Sequence, residues 1–338
     1  MVGMRDVAKA AGVSLSTVSL VVNNSGYVSA DMRAKVEAAM KTLDYVPNEL
    51  ARNLSRNRTN IIGLIVPTIR HPFFASLVAA LQRHFAEAGL HTMLCSVADE
   101  ERSEGQYIDM LQRRMMDGVV MAAHTEYPED YWVSIGRPVV SFDRYLGIGI
   151  LSVSSDHAQG GRLIAEHLLA TGARHVVSIG GPRSQFEDLG DEDRTSFPTV
   201  RFHLTMERIL GEHGVRCDYM EAGAVSDMDR YGEVARELFE RYPDVDAVIG
   251  SDAVAAYCVQ EAARRGIVVP DRLQVIAYDG TYAADLAGKR LTCVRQDFDA
   301  LASRIVERLK QIIDERPIGD ESDTTPVYFV PGETTRAA

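Results

Sequence analysis

With 338 residues, of which 46% are hydrophobic and 25% charged, the chain has enough apolar content for two or three domains, each with its own core. It has no apolar run of 18 residues and no apolar secretory stretch in MVGMRDVAKAAGVS. Its four scattered cysteines (Cys95, Cys217, Cys258, Cys293) contain no CxxC pair, so a membrane span, a disulfide framework and a zinc knuckle are excluded and a reducing cytoplasm fits.

The net charge of −12 is unevenly spread. Residues 1–60 carry eight Lys/Arg against five Asp/Glu, or +3, leaving −15 for the rest, a balance suited to local phosphate contact by the head alone. Three short helices are predicted there. Val7 and Ala11 form one stripe over 6–11, and Gly12-Val13-Ser14 breaks it. Ser14 can cap a second helix from Leu15 to about Asn23, with Val18, Val21 and Val22 on its buried side. Ser29 can cap a third through Asp44, with Asp31 in its first turn and Val36, Met40 and Leu43 at helical spacing. This is the helix-turn-helix plan, although periodicity alone equally allows a generic three-helix cap. Residues 55–60 are too polar for core and read as a linker. Beyond them, strand candidates at 61–66, 92–97, 118–122, 138–142, 176–179, 247–250 and 274–277 alternate with helices such as 74–88, 160–170, 206–212, 231–241 and 253–265. That alternation marks parallel sheets with crossover helices, and seven strands suit two α/β lobes better than one.

The wording of the head is more specific than its periodicity. RDVAKAAGVSLSTVSLVVNNSGYVSADMRAKVEAAMKTLDYVPNELARNL, residues 5–54, resembles without a gap the head of the LacI/GalR family: DVA-x-x-AGVS-x-x-TVS, VS-x-x-x-R-x-x-V, Y-x-PN-x-x-A-x-x-L. The resemblance implies a recognition helix presenting Leu15 and Ser16 to base edges. Thr17, Ser19 and Asn23 would contact phosphates, with the caps Ser14 and Ser29 among the DNA-facing residues. Leu20 stands where many members carry a guanine-reading Arg. Residues 47–54 resemble the hinge helix: Asn48 its cap, Ala51 at a close dimer packing, and Leu54 either a minor-groove wedge or packed back on the head.

Phrases of the body, among them IIGLIVPTIRHPFFASLV, PVVSFDR, HAQGGRLIAEHLLATGARHVVSIGGP, AVIGSDAVAAYCVQEAARRGIVVPDRLQVIAYDG and LTCVRQD, resemble the same family's sensor domain, itself similar to periplasmic sugar-binding proteins. The implied fold is an all-α helix-turn-helix head (1–46), a hinge and linker (47–60) and a periplasmic-binding-protein-like core of two doubly wound α/β lobes (61–338). Open α/β sheets bind ligands beyond the carboxyl ends of their strands. There the resemblance places an effector against His71, Phe73, Phe74, Asp143, Arg144, Ser251, Asp252, Asp279, Gln296 and Phe298, each of which could instead be a cap, a turn former or a core aromatic. One departure stands out. The family's Arg-x-x-Gly-Phe after SIGGP registers on Phe202, Thr205 and Met206, with Arg201 one residue off, behind a long acidic segment over 183–198. That segment is either a solvated flap or a source of ligand contacts through Arg194.

The implied function is a DNA-binding regulator, a repressor on a pseudo-palindromic operator controlled by a small-molecule effector, a sugar or sugar derivative. A purine or other non-sugar effector is the alternative, and a solute-binding protein without regulatory role a further one. The end, VYFVPGETTRAA, has no leucine heptad, which points to a C2 homodimer rather than a tetramer. An enzyme is disfavoured: GxxxxGK[ST], HExxH, GxSxG and a GxGxxG after a strand are all missing, and the nine histidines show no ligand spacing. No cofactor, metal or membrane partner is expected.

Overall fold

The computed structural model describes residues 2–46, 58–98, 104–124, 127–187, 195, 197, 199–317 and 322–338. The hinge expectations for Asn48, Ala51 and Leu54, and the one for Arg194, fall outside the described residues. The chain divides into two compact units, Met1–Asn60 and Ile61–Ala338.

In the first unit, helices α1 (Met4–Ala11), α2 (Leu15–Val22) and α3 (Ala30–Thr42) pack around Val7, Val18, Val21 and Val36. Gly12, at φ 63°, closes α1 in the left-handed conformation that glycine adopts without steric cost. Helix α3 stops at Thr42 rather than Asp44, whose φ of 49° turns the chain away. So small a core leaves little reserve. Val18→Ala should remove roughly 2 kcal/mol, and hydrogen exchange in the full chain should then quicken by about thirty-fold for the α1–α3 amides while the second unit is unchanged. Equal protection in wild type and variant would show that Val18 is not central.

The second unit has two lobes, each a six-stranded sheet. The first lobe takes β1 (Ile61–Val66), α4 (Pro72–Glu87), β2 (His91–Ser96), α5 (Glu104–Gln112), β3 (Gly118–Met121), α6 (Glu129–Ser134), β4 (Val139–Phe142) and β5 (Leu151–Ser155). The chain then crosses to the second lobe for α7 (His157–Ala170), β6 (His175–Gly180), α8 (Val200–Glu212), β7 (Arg216–Glu221), α9 (Met228–Arg241), β8 (Ala247–Ser251), α10 (Asp252–Arg264), β9 (Gln274–Asp279) and β10 (Thr292–Gln296). It returns for α11 (Phe298–Ile313) and β11 (Ser322–Thr325), and crosses a third time for β12 (Val327–Val330). The sheet orders are β11-β5-β4-β3-β1-β2 and β12-β10-β9-β8-β6-β7, all neighbours parallel except antiparallel β10–β12. Separate apolar clusters cover the two faces of each sheet, as doubly wound sheets require.

Five strands were not among the expected ones. Leu151–Ser155 alternates apolar and hydroxyl side chains with a matching burial alternation, and its three serines read as loop in isolation. Arg216–Glu221 and Ser322–Thr325 are polar edge strands, at one end of each sheet. Helix α8 begins at Val200, not Met206, and buries Val200, Phe202 and His203 in its added turn.

Candidate functional site

Two sites emerge, one in each unit. At the start of α2 the Ser14 hydroxyl accepts the Thr17 amide proton at 3.1 Å and shares hydrogen bonds with the Ser16 and Thr17 hydroxyls at 2.7 and 2.8 Å. That cap leaves Leu15 and Ser16 exposed at the positive end of the helix. Thr17 and Ser19 are half-buried behind them, and the Asn23 amide donates to the Ser19 hydroxyl at 3.2 Å. Ser29 caps α3 by accepting from Met32 N at 3.4 Å. Leu20 lies over Gly26, where an added Cβ would stand 3.1 Å from its Cδ2 and where φ is +68°. The neighbouring Tyr27, 93% exposed, went unremarked in the sequence. Its signal was a large aromatic directly after the turn glycine Gly26, in the connection between the second and third helices.

In the second unit a cavity of about 490 Å³ lies at the carboxyl ends of the strands of both sheets. Its lining includes eight of the ten residues expected there: His71, Phe73, Phe74, Asp143, Arg144, Ser251, Asp279 and Gln296. The other two do not reach its surface. Asp252 lies beneath the floor, its carboxylate accepting from Gly280 N at 3.1 Å, Thr281 N at 2.5 Å and the Thr281 hydroxyl at 2.6 Å, so it holds the turn after Asp279. Phe298 opens α11 half-buried against the first lobe's core, 5.4 Å from the Phe73 ring, because an apolar ring in the first turn of an amphipathic helix follows that helix's buried face.

Both lining carboxylates sit one residue past or at a strand end with positive φ, 55° for Asp143 and 124° for Asp279. Such angles are uncommon for non-glycine residues, aspartate adopting them more readily than most, and neighbouring contacts add a constraint that holds them. His157, the first residue of α7, supplies that constraint for Asp143: its Nε2 lies 2.7 Å from the Asp143 carboxylate and its Nδ1 2.7 Å from the Tyr278 hydroxyl. A second chain runs from the Ser155 hydroxyl, donating to Gln296 Oε1 at 2.7 Å, to Gln296 Nε2, donating to Asp279 at 2.9 Å. Each chain joins the first lobe to the second, beside the crossovers that follow β5 and β10. Burial first, then Asp252 and Asp143, raises the Asp279 carboxyl well above the ordinary range, with Gln296 opposing. Asp252 is pushed up to about 6 by burial, against the hydrogen bonds from Thr281 and Gly280. Burial lowers Arg144 to about 10. Its Nη2 donates to Ala122 O at 2.9 Å and its Nε to Phe142 O at 3.4 Å. Burial also lowers His71 to about 4, and its Nδ1 accepts the Phe73 amide proton at 3.3 Å, so the neutral ring keeps its proton on Nε2.

The position expected to lack the family's arginine is aromatic. Phe202 lines the cavity and stacks on Tyr278, centroids 4.0 Å apart and planes at 10°. Arg201 is not part of the lining. Of the 183–198 segment, Ser184, Gln185 and Phe197 border the cavity, and Phe197 stacks on His124 at 4.6 Å. The lining residues His124, His203, Tyr231 and Tyr278 were not anticipated. Only Tyr278 had a legible signal, being one residue ahead of Asp279 at a strand end.

Among the described residues, no three His, Cys, Asp or Glu are grouped to hold a metal, and no helix is long and apolar enough to cross a membrane. Residues 3–48 match the family model of bacterial regulatory proteins, lacI family, and residues 165–335 that of the periplasmic binding protein-like domain. The chain is 32% identical to the sucrose operon repressor of Streptococcus mutans, covering 97% of this chain and 96% of that protein. It is 33% identical to the ribose operon repressor of Bacillus subtilis, covering 99% of each. Its fold is that of the lac repressor dimer bound to operator and the anti-inducer ONPF, with a TM-score of 0.83, 24% identity and 99% of each chain covered. A helix-turn-helix head, a two-lobed sensor core and end-to-end similarity to operon repressors together place this chain in the lacI family of DNA-binding bacterial regulatory proteins.

Proposed function

We propose that the chain is a transcriptional repressor that binds a pseudo-palindromic operator as a homodimer and takes a sugar-type effector in the cleft between its lobes. The observation that carries this reading is the facing pair of strained strand-end carboxylates, Asp143 and Asp279, in a cavity lined by aromatic rings. Carboxylates accept paired hydrogen bonds from adjacent hydroxyls, and rings cover the apolar face of a sugar. His71, Phe73, Phe74, Arg144, Ser251 and Gln296 complete that contact set, with Asp252 holding the floor. The names of the sucrose and ribose operon repressors support both halves of the reading. In the head, Leu15 and Ser16 read base edges, and Thr17, Ser19, Asn23 and the two caps set the register on phosphates. Effector binding changes the angle between lobes and so shifts the population of DNA-competent dimers. The protein has no catalytic role and works in the cytoplasm, where its operator is.

Selection of the full chain on random duplexes, followed by gel shifts at several salt concentrations, tests the head. A two-fold-symmetric site should emerge, bound at least about 10³-fold more tightly than random duplex. Ser16→Ala should lower specific affinity by about tenfold and leave the salt-dependent non-specific binding alone. Equal affinity for selected and random duplexes would sink the reading.

A further inference from the structure

Sequence recognition in the major groove ordinarily uses side chains that pair with a base edge at two points, Arg or Lys with guanine and Asn or Gln with adenine. From Ser14 to Val22, the cap and body of α2 contain none of these and no charged residue. Val18 and Val21 define the buried side of this helix. At about 100° per residue, that turns Leu15, Ser16, Ser19, Leu20 and the C-cap Asn23 outward.

The hydrogen-bonding groups of the outer face are already engaged with one another. The Ser16 hydroxyl shares a hydrogen bond with Ser14 at 2.7 Å, and the Asn23 amide, at the far end of the helix, donates to the Ser19 hydroxyl at 3.2 Å. A serine hydroxyl also suits more than one base, so hydroxyls alone discriminate weakly. The apolar groups are the distinctive part. Leu15 is 43% exposed in the first turn. Leu20 is half-buried, one side of it resting on Gly26, where a Cβ would stand 3.1 Å from its Cδ2 and 3.9 Å from its Cδ1. Gly26 has no side chain and a φ of +68°, so the turn fixes Leu20 in place and still leaves it half open. The base-edge group in the major groove that an aliphatic side chain recognises is the 5-methyl of thymine.

We propose that α2 reads its half-site through thymine 5-methyl groups, with Leu15 and Leu20 as the specificity-determining residues, in place of a bidentate contact to a purine. The proposal rests on the operator reading above and goes further by naming the feature of the bases that is read. Burying one methyl against an aliphatic side chain is worth about fourfold in affinity. Two such contacts in each half-site of a symmetric dimer multiply to roughly 250-fold, which makes the operator rich in A·T pairs beneath α2.

The test uses the full chain and the duplex selected above. Each thymine is replaced singly by deoxyuridine, which removes the 5-methyl and keeps every hydrogen-bonding group, and affinity is read by gel shift. Two thymines in each half-site should each cost about fourfold. Leu20→Ala should bring one of these losses below about twofold and leave the other, and Leu15→Ala should do the reverse. Binding to random duplex, which rests on phosphates, should stay unchanged in both variants. Wild-type affinity that holds within about twofold at every substituted thymine overturns the proposal without recourse to the variants. So does a selected half-site that contains no thymine. Losses that persist undiminished in both variants overturn it as well, because they report the deformability of the duplex rather than contact with leucine. In those three cases the selected site still stands, and the operator reading with it. Failure to select any symmetric site removes both.

Discussion

Asp279→Asn is expected to weaken ligand control of operator binding and, at neutral pH, to raise the melting temperature. The carboxyl is buried, held at φ 124° and shifted upward by its burial and then by Asp252 and Asp143. A folded-state value above the unfolded one means that this group favours folding fully below about pH 4, its unfolded range. That contribution is lost as pH rises through the folded value. Asp252 acts with the same sign, and its shift to about 6 places its window between about pH 4 and 6. Two units are worth roughly 3 kcal/mol of stability missing at pH 7. Asparagine removes the Asp279 charge, keeps an oxygen for the Gln296 amide and tolerates positive φ. It presents one acceptor oxygen where the carboxyl group has two, so a ligand hydroxyl loses a partner worth about 1 kcal/mol or more and affinity should fall by about tenfold. Thermal melts at pH 5 and pH 7.5 should show the variant gaining less on acidification than the wild type. Gel shifts should show unliganded operator binding intact. A normal ligand response in the variant would remove Asp279 from the site.

Gly161→Ala should be strongly destabilising and should damage the ligand cleft with it. Gly161 lies on α7, and a Cβ there would stand 2.3 Å from the Phe202 carbonyl oxygen and 3.0 Å from its Cα. Both atoms are backbone of α8, so the two helices must separate. Overpacking of this kind costs about 3 kcal/mol, or a fall of roughly 6–12 °C at this size. Because Phe202 carries the stack on Tyr278, ligand affinity should fall with stability. Gly211→Ala is the matched control. It is helical with nothing within 4 Å of the added carbon, so helix propensity should leave it neutral or up to about 1 kcal/mol more stable. Equal melting temperatures for the two variants would show that the α7–α8 contact yields without cost.

Local chemistry explains what could be read in advance. Ser14 and Ser29 were visible as caps because a cap acts on an amide three residues away. Val7, Val18 and Val36 were visible as core because periodicity reports one buried face. The strand-end positions of Asp143, Ser251 and Asp279 were legible because runs of β-branched residues end where a polar residue begins, and His71 because it precedes the proline that opens a helix. Leu151–Ser155 and Ser322–Thr325 were not, because hydroxyl-rich strands earn their place from the neighbours they pair with rather than from their own pattern.

By itself, then, the sequence determined the kind of protein this is: a capped three-helix head, two wound sheets and acids at the strand ends, all set within a few residues of chain. Only the tertiary structure decided which groups meet. Phe202 and Tyr278, 76 positions apart, stack. His157 joins Asp143 to Tyr278. Asp252 turns out to support the floor beneath Asp279, and Phe298 to pack against the core. The reason is that caps and periodicity are settled by neighbours in sequence, whereas the chain crosses between lobes three times, so the wall of the cleft is assembled from faces whose apposition no local pattern encodes.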